Sequence, residues 1–302
     1  MGSLPANRVN PLAVFNTCGV DYAGPFKMRY GLQRSKQIFK AYIAIFVCYA
    51  TKAVHLEWVD DLTTEAFLAT LRCFVARRGS PEKIYSDNGR NFVEAAAQLK
   101  TFLTSPELKQ KLGPCTATLG INWSFIPPHS PHMGGLWEAG VKSMKFHFRR
   151  SLGETTLSQR EANTFLAQIE AVLNSRPLVA ASNDPNDLQA LTPGHFLIGR
   201  PLTAIPEPNY TEIKSLKLRW HKIQQLVQQF WQRWRTEYLQ SLQHRNKWTK
   251  VKDNIQLNDL VLIREDFEPP LSWKKGRVIQ VHQGNDGLTR VATIKTINSE
   301  VK

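Results

Sequence analysis

Three carboxylates in this 302-residue chain stand where a fold could bring them together: Asp21, Asp87 and Glu138. Asp21 lies inside the apolar stretch VFNTCGVDYAGPF, between Val20 and Tyr22. Aspartate is disfavoured within strands, so an interior one needs a reason, although ahead of Ala-Gly-Pro it could equally form the turn at a strand end. Asp87 begins Asp-Asn-Gly directly after the short strand-like run PEKIYS, and Glu138 falls in the first turn of a helix entered through the loop IPPHSPHMGG. Three carboxylates crowded without partners would repel one another. Hard divalent cations relieve that repulsion, and Mg²⁺ typically binds through one or two carboxylates plus substrate phosphate. Two such ions stabilise both the attacking and the leaving oxygen of a phosphoryl transfer.

Cations follow the third acid in register. Lys142, Lys145 and Arg149 come after Glu138 at steps of four, three and four, which places one carboxylate and three cations on a single helical face. Val141, Met144 and Phe148 form a neighbouring apolar stripe. A lone Glu/Lys helix is ordinarily a solvated charged face. If the three acids converge, the basic stripe instead lies where a nucleic-acid backbone passes.

The elements that must position these groups can be read in order. Val14–Phe26 reads as a first strand ended by Gly24-Pro25, and Ile38–Trp58 as a hairpin turning at Ala50-Thr51-Lys52. A helix follows with Thr63 as N-cap, Phe67, Leu71, Phe74 and Val75 inward, and Arg77-Arg78-Gly79 at its end. Next come a strand over 81–86, a helix over 91–103, a looser connection over 104–120, a strand over 122–126 and the helix carrying Glu138. Ser158-Gln-Arg-Glu161 fits a capping box and starts a helix to Asn174, with Phe165, Ile169 and Val172 inward. This order predicts a mixed α/β sheet with helices packed on it. Strands one and four as neighbours would bring Asp21 and Asp87 together.

Residues 178–211 read as irregular. Beyond them Leu216, Trp220, Ile223, Val227, Phe230 and Trp234 are spaced for a long amphipathic helix with a heptad-like seam, better suited to core or an oligomer contact than to stacking on bases. Leu260–Ile263, Arg277–Val281 and Thr289–Ile294 then read as the strands of a small hairpin-built sheet.

Composition points the same way. Lys and Arg number 39 against 25 Asp and Glu, for a net charge of +14, and half of that excess falls between Glu212 and Lys250. Such a balance favours a polyanionic partner, nucleic acid before membrane. No apolar run is long enough for a membrane span, and no signal peptide is read at the N-terminus. Cys18, Cys48, Cys73 and Cys115 are scattered without CxxC or a His pair at zinc spacing, so they read as reduced thiols in an intracellular protein with no visible zinc site. His55, His129 and His132 lack ligand spacing and read as structural.

A resemblance enters here. IYSDNGRNF, with Asp87-Asn-Gly, and Pro128-His-Ser-Pro-His-Met-Gly-Gly-Leu-Trp-Glu138 together resemble the catalytic core of retroviral and retrotransposon integrases, the Asp/Asp/Glu polynucleotidyl transferases. Val20-Asp-Tyr-Ala-Gly-Pro25, Lys52-Ala-Val-His-Leu-Glu57, Leu173-Asn-Ser-Arg-Pro177 and Leu191-Thr-Pro-Gly-His-Phe-Leu-Ile-Gly-Arg-Pro201 are similar to the Pao/BEL class of LTR retrotransposons. The resemblance covers most of residues 1–205, and the tail looks like the domain that follows this core in the same polyproteins.

The resemblance implies an α/β, ribonuclease-H-like mixed sheet with flanking helices, then a long basic helix and a small Src-homology-3-like β-barrel. The divisions expected are an N-terminal arm over 1–13, the catalytic core over 14–205, a basic helical linker over 206–250 and the barrel over 251–302. It implies two Mg²⁺ or Mn²⁺ ions, with Asp21 a ligand of both, Asp87 of one and Glu138 of the other. It implies trimming of element DNA ends by water and attack of the resulting 3′-hydroxyls on target DNA. Lys142, Lys145 and Arg149 would hold DNA, with Asn88 and Asn91 positioning phosphate or water. Double-stranded DNA and further copies of the chain are the implied partners, and the nucleus is the implied site of action. The interval from Asp87 to Glu138 is longer than in the best-known integrases, the extra residues falling in a loop that lengthens cheaply. The amino-terminal His/Cys zinc domain of full integrases is read as lacking, and the chain is expected to stop before the last strand of the barrel. A catalytically silent DNA-binding or assembly protein derived from such an element is the alternative from another class. A ribonuclease-H-like nuclease acting on RNA–DNA hybrids shares the acids.

Overall fold

β1 (Thr17–Arg29) is the strand on which the first part of the molecule is built. The computed structural model of the chain describes residues 13–29, 37–104, 120–126, 135–213, 218–243, 255–265, 268–284 and 289–301, without the side chains of 102–104 and 135–140. It divides into two compact units, 1–173 and 174–302.

In the first unit β1 pairs antiparallel with β2 (Ile38–Cys48), which pairs antiparallel with β3 (Val54–Val59). On its other side β1 runs parallel to β4 (Lys83–Ser86), and β4 parallel to β5 (Asn122–Phe125). The order is therefore β3-β2-β1-β4-β5, with the two-residue β6 (Leu157–Ser158) joining β1 near its end. The helices are α1 (Thr64–Arg78), α2 (Arg90–Thr104), α3 (Gly135–Leu152) and α4 (Gln159–Asn174). This is the mixed α/β sheet with flanking helices that the sequence predicts.

The helices cover both faces of the sheet, and a bulge in β1 decides which residues meet which. Tyr22 stacks on Phe92 of α2 at 5.1 Å and meets Phe67 of α1 edge-on. Four residues later Phe26 lies against Phe148 of α3 at 4.8 Å, and Phe148 against Phe165 of α4 at 5.0 Å. Strict alternation would put positions 22 and 26 on the same face. The register shift between Ala23 and Phe26 inserts the extra residue that moves Phe26 to the other face. Gly24 accommodates it with φ +146°, and a Cβ there would lie 2.7 Å from Tyr42 Cδ1. Gly24-Pro25 therefore does not end the strand, as its composition suggests, but kinks it and lets it run to Arg29.

Local signals are met. The Thr63 hydroxyl accepts from Ala66 N at the start of α1, and Gly79 N–H donates to Val75 O at its end. Glu161 and Ser158 form a reciprocal box at the start of α4, with Ser158 N donating to Glu161 Oε2 at 2.8 Å. Cys18 and Cys48 are buried register partners across β1 and β2, and Cys73 is an exposed free thiol. Cys115, His129, His132, Leu216 and the N-terminal arm as far as residue 12 lie outside the described residues, as does most of the 104–120 connection.

The second unit is organised on α6 (Arg219–Leu242), which follows β7 (Val179–Ala180), β8 (Ala190–Leu191) and α5 (Pro193–Ile198). The segment 178–211 is thus less irregular than its composition implies. α5 is six residues long, preceded by Thr192, whose N–H donates to His195 Nδ1, and closed by left-handed Gly199. Along α6, Ile223, Val227, Phe230 and Trp234 are buried as the seam predicts, whereas Trp220 is 53% exposed. The helix begins at Arg219, so Trp220 sits in its first turn, before the packed stretch starts. Buried Gln225 and Gln228 close the preceding loop by donating to the Tyr210, Ile213 and Pro208 carbonyls. A four-stranded antiparallel sheet completes the unit: β9 (Leu260–Leu262), β10 (Lys275–Gln283), β11 (Thr289–Lys295) and β12 (Glu300–Val301), in the order β12-β11-β10-β9. Trp273, ahead of β10, meets Trp231, Trp234 and Tyr238 of α6 edge-on.

Candidate active site

The parallel pairing of β1 and β4 is in register at Gly19–Tyr85. Two residues further along each strand direction stand Asp21 and Asp87. Asp21 is still within β1, whereas Asp87 is the first residue after β4, so both stand just past the paired stretch, at the same end of the parallel ladder. Asp21 lies on the face that α3 covers, because Lys145 of α3 reaches it, with Nζ 2.8 Å from Oδ2. The other oxygen, Asp21 Oδ1, accepts from Tyr22 N at 2.6 Å. The pair is partly buried, with side-chain exposures of 29% for Lys145 and 26% for Asp21.

Asp87 is exposed and held by a turn. Its Oδ1 accepts from Gly89 N at 2.9 Å, an Asx turn that leads into α2. A Cβ on Gly89 would lie 3.0 Å from both Asp87 Oδ1 and Asn91 Oδ1, so a side chain at this corner would press on both. Asn88 Nδ2 donates to Ile126 O at 2.7 Å, tying the end of β4 to the end of β5. Behind the turn, Ser86 Oγ donates to Asp87 O and accepts from Trp123 Nε1, both at 2.9 Å. Asn91 faces the Tyr22 phenol, whose pKa burial pushes up, Asn91 opposing. Ser86, Trp123 and Tyr22 do not emerge from motif reasoning, although a serine directly before the acid, adjoining the corner, was a legible signal for one of them.

Glu138 is in the first turn of α3, two turns before Lys145, and its side chain is not among those described. Lys142 is exposed between them. Arg149 is exposed but donates to Gly24 O at 2.7 Å, the carbonyl at the β1 bulge. Among the described residues no group of three or more His, Cys, Asp or Glu side chains is placed to hold a metal ion. The two aspartates provide hard oxygen donors, a donor type that suits Mg²⁺ or Mn²⁺.

His55 belongs to a different cluster. Fully buried on β3, its Nε2 lies 2.9 Å from Glu57 Oε1 and its Nδ1 3.3 Å from Glu170 Oε2. Arg78 pairs with Glu170, and Arg77 with Glu57. Glu170 also accepts from Leu56 N, so α4 caps the edge strand. Burial works against the imidazolium, but Glu170 and Glu57 outweigh it and the His55 pKa is raised. In the second unit a cleft of about 780 Å³ is lined by Asp187, Trp273, Lys274, Lys275 and Lys295 among others. Burial lowers the Lys275 pKa, Asp187 opposing. Among the described residues no helix is long and apolar enough to cross a membrane.

Comparison with known proteins gives three kinds of result. Residues 218–302 match a family described as a family of unknown function, DUF5641. No curated protein matches the chain. Among solved structures, the chain is similar to one in the simian T-cell lymphotropic virus intasome in complex with a PP2A regulatory subunit. The identity is 14%, over 99% of this chain and 80% of that one, with a TM-score of 0.41. It is also similar to the HTLV-2 integrase catalytic core domain in complex with magnesium, in trimeric and dimeric forms. There the identity is 18% over 57% of this chain, covering 93% and 94% of those chains, with TM-scores of 0.32 and 0.33.

Proposed function

We propose that this chain is a metal-dependent DNA strand transferase of the integrase type, from a Pao/BEL-class LTR retrotransposon. The observation that carries the reading is that Asp21 on β1 and Asp87 directly after β4 stand just past the same end of the β1–β4 parallel ladder, with Asp21 on the face covered by α3, whose first turn holds Glu138. On this reading Asp21, Asp87 and Glu138 would hold two Mg²⁺ or Mn²⁺ ions. Bound there, such ions stabilise the attacking and leaving oxygens of an in-line phosphoryl transfer. The chain's own residues supply the frame. The Gly89 N–H and the Ser86 hydroxyl fix the Asp87 corner, and Asn88 locks that corner to β5. Exposed Lys142 presents a cation to a phosphate, and Arg149 braces the bulge after Asp21.

Double-stranded DNA, both element ends and target, is the proposed substrate. Multimers of the chain are the proposed working form and the nucleus its site of action. The division into core, basic helical segment and small β domain belongs to the same reading. The net charge of +14 supports a polyanionic partner without identifying it.

The test is a strand-transfer assay with Mn²⁺ and a pre-trimmed DNA end, comparing the chain with Glu138→Gln. Joined product from the parent and none from the variant supports the three-acid reading. Equal product from both removes Glu138 from it. Silence from both, persisting after an upstream zinc domain is supplied, favours the alternative of a DNA-binding or assembly protein without catalysis.

A further inference from the structure

We propose that Lys145 is a tethered counter-cation of Asp21 that competes with a divalent ion for the same carboxylate, so that metal binding displaces the Lys145 ammonium. The proposal rests on the metal-site reading above and deepens it. Its basis is the division of labour at Asp21. Oδ1 is held by the Tyr22 N–H at 2.6 Å, a backbone donor next to it in the chain that stays in place. Oδ2 is held by Lys145 Nζ at 2.8 Å, a donor on a flexible stem with several rotatable bonds. A divalent ion arriving at this carboxylate would meet the ammonium within a few ångströms, in a setting where water screens only partly. One of the two cations must give way, and Lys145 is the one free to turn.

Its backbone does not leave with it. Val141, Met144 and Phe148 are buried on the neighbouring stripe of α3, so the helix is fixed while the side chain turns. Lys142, one turn earlier, is already exposed, so a displaced Lys145 ammonium would join a surface that carries positive charge. By linkage, a phosphate that drew Lys145 off Asp21 would strengthen metal binding by the same factor that metal strengthens phosphate binding. Lys145 is on this account a positioning residue. It keeps Asp21 oriented and neutralised without metal and sets the threshold at which metal enters.

The experiment is a Mn²⁺ titration of the 302-residue chain, with free ion read by electron paramagnetic resonance. The chains compared are the parent, Lys145→Gln, Lys145→Arg, Lys142→Gln and Asp87→Asn. Lys145→Gln is expected to bind Mn²⁺ on the order of five-fold more tightly, the factor that loss of a competing, partly exposed ion pair gives. Lys145→Arg keeps the charge and is expected to stay near the parent. Lys142→Gln removes the same charge from the same helix without touching Asp21, and is expected to change affinity less than two-fold. Circular dichroism and metal-free melting of each chain establish that it is folded. Equal affinity in the parent and Lys145→Gln, with both above Asp87→Asn, overturns the proposal and leaves the metal site standing. Equal tightening in Lys142→Gln also overturns it, by reducing the effect to general electrostatics. Affinity in the parent no greater than in Asp87→Asn overturns the metal-site reading and the proposal with it.

Discussion

Asp21 on β1 and Asp87 just after β4 each come two residues beyond the Gly19–Tyr85 pair, and they differ in what holds them. Asp21 shares its charge with Lys145, whereas Asp87 accepts a backbone N–H and is otherwise open to solvent. Asp87→Asn therefore separates folding from chemistry. The amide oxygen still accepts from Gly89 N, so the corner should survive and the metal-free melting temperature should be unchanged or slightly higher, one like charge having gone. Strand joining with Mn²⁺ should fall on the order of 100-fold or more, through the loss of a metal ligand. An Asn variant that joins DNA as fast as the parent would remove Asp87 from the site.

The exposed end of the basic face makes a separate prediction. Lys142 is in water, while Lys145 and Arg149 are engaged with Asp21 and the Gly24 carbonyl. If Lys142 meets one phosphate, Lys142→Gln should weaken duplex binding alike for different sequences and reduce the slope of log affinity against log salt by about 0.9. Fluorescence anisotropy across a salt series reads both quantities. An unchanged slope would place Lys142 off the DNA path.

The buried cluster at the sheet edge predicts a pH dependence. The His55 pKa is raised above 6.5, because Glu170 and Glu57 outweigh the burial that lowers it. Its stabilisation is then fully present below pH 6.5 and is lost as pH rises through the higher folded value. The Glu170 pKa is lowered from 4.5, because His55, the Leu56 N–H and Arg78 outweigh the burial that raises it. Its stabilisation is present above pH 4.5 and is lost as pH falls through the lower folded value. The cluster therefore supports the first unit best between these two values. Raising the pH from about 6 to about 8 should lower the melting temperature more in the parent than in His55→Gln, by on the order of 2–4 °C. Identical pH profiles in the two chains would show that folding does not shift the titration of His55.

What the sequence disclosed depended on how local each feature is. The Thr63 cap, the Gly79 stop and the Ser158–Glu161 box are settled by residues within four positions of one another, and all three were legible. Phe67, Phe74, Phe165 and Ile169 follow the helical period and are buried accordingly. The Gly24-Pro25 bulge was not legible, because two residues that commonly end a strand are here carried through it by the pairing of Ala23 and Phe26 with β2 on either side. α5 carries Thr192, Pro193 and Gly199 as its boundary signals, but six residues give no period to read. Trp220 has the spacing of the seam, yet spacing does not reveal where packing begins. Lys145 read as a DNA-facing cation of the basic stripe and not as a partner of Asp21, which is 124 positions away and is brought to it only by the fold.

The second unit yields the last prediction. Trp273 receives Trp231, Trp234 and Tyr238 edge-on at centroid separations of 4.9, 6.1 and 5.5 Å, and its Nε1 donates to Ser175 Oγ at 3.1 Å. Trp231 is fully buried and donates in turn to Glu268 O, while Tyr238 donates to Pro177 O. One indole thus joins α6 to the segment that leads into β10, and edge-on aromatic pairs contribute beyond the area they bury. Trp273→Ala should cost the second unit about 3 kcal/mol, the lower end for removing a large aromatic from a packed site. Trp273→Phe keeps much of the contact and should cost roughly half as much, its missing N–H leaving Ser175 without that donor. Far-UV circular dichroism in urea would show the Ala variant losing structure at lower denaturant in a transition that involves only part of the signal, since the first unit has a core of its own. A variant that unfolds at the parent's midpoint would show that the aromatic contacts around Trp273 contribute little to holding α6 on the small sheet.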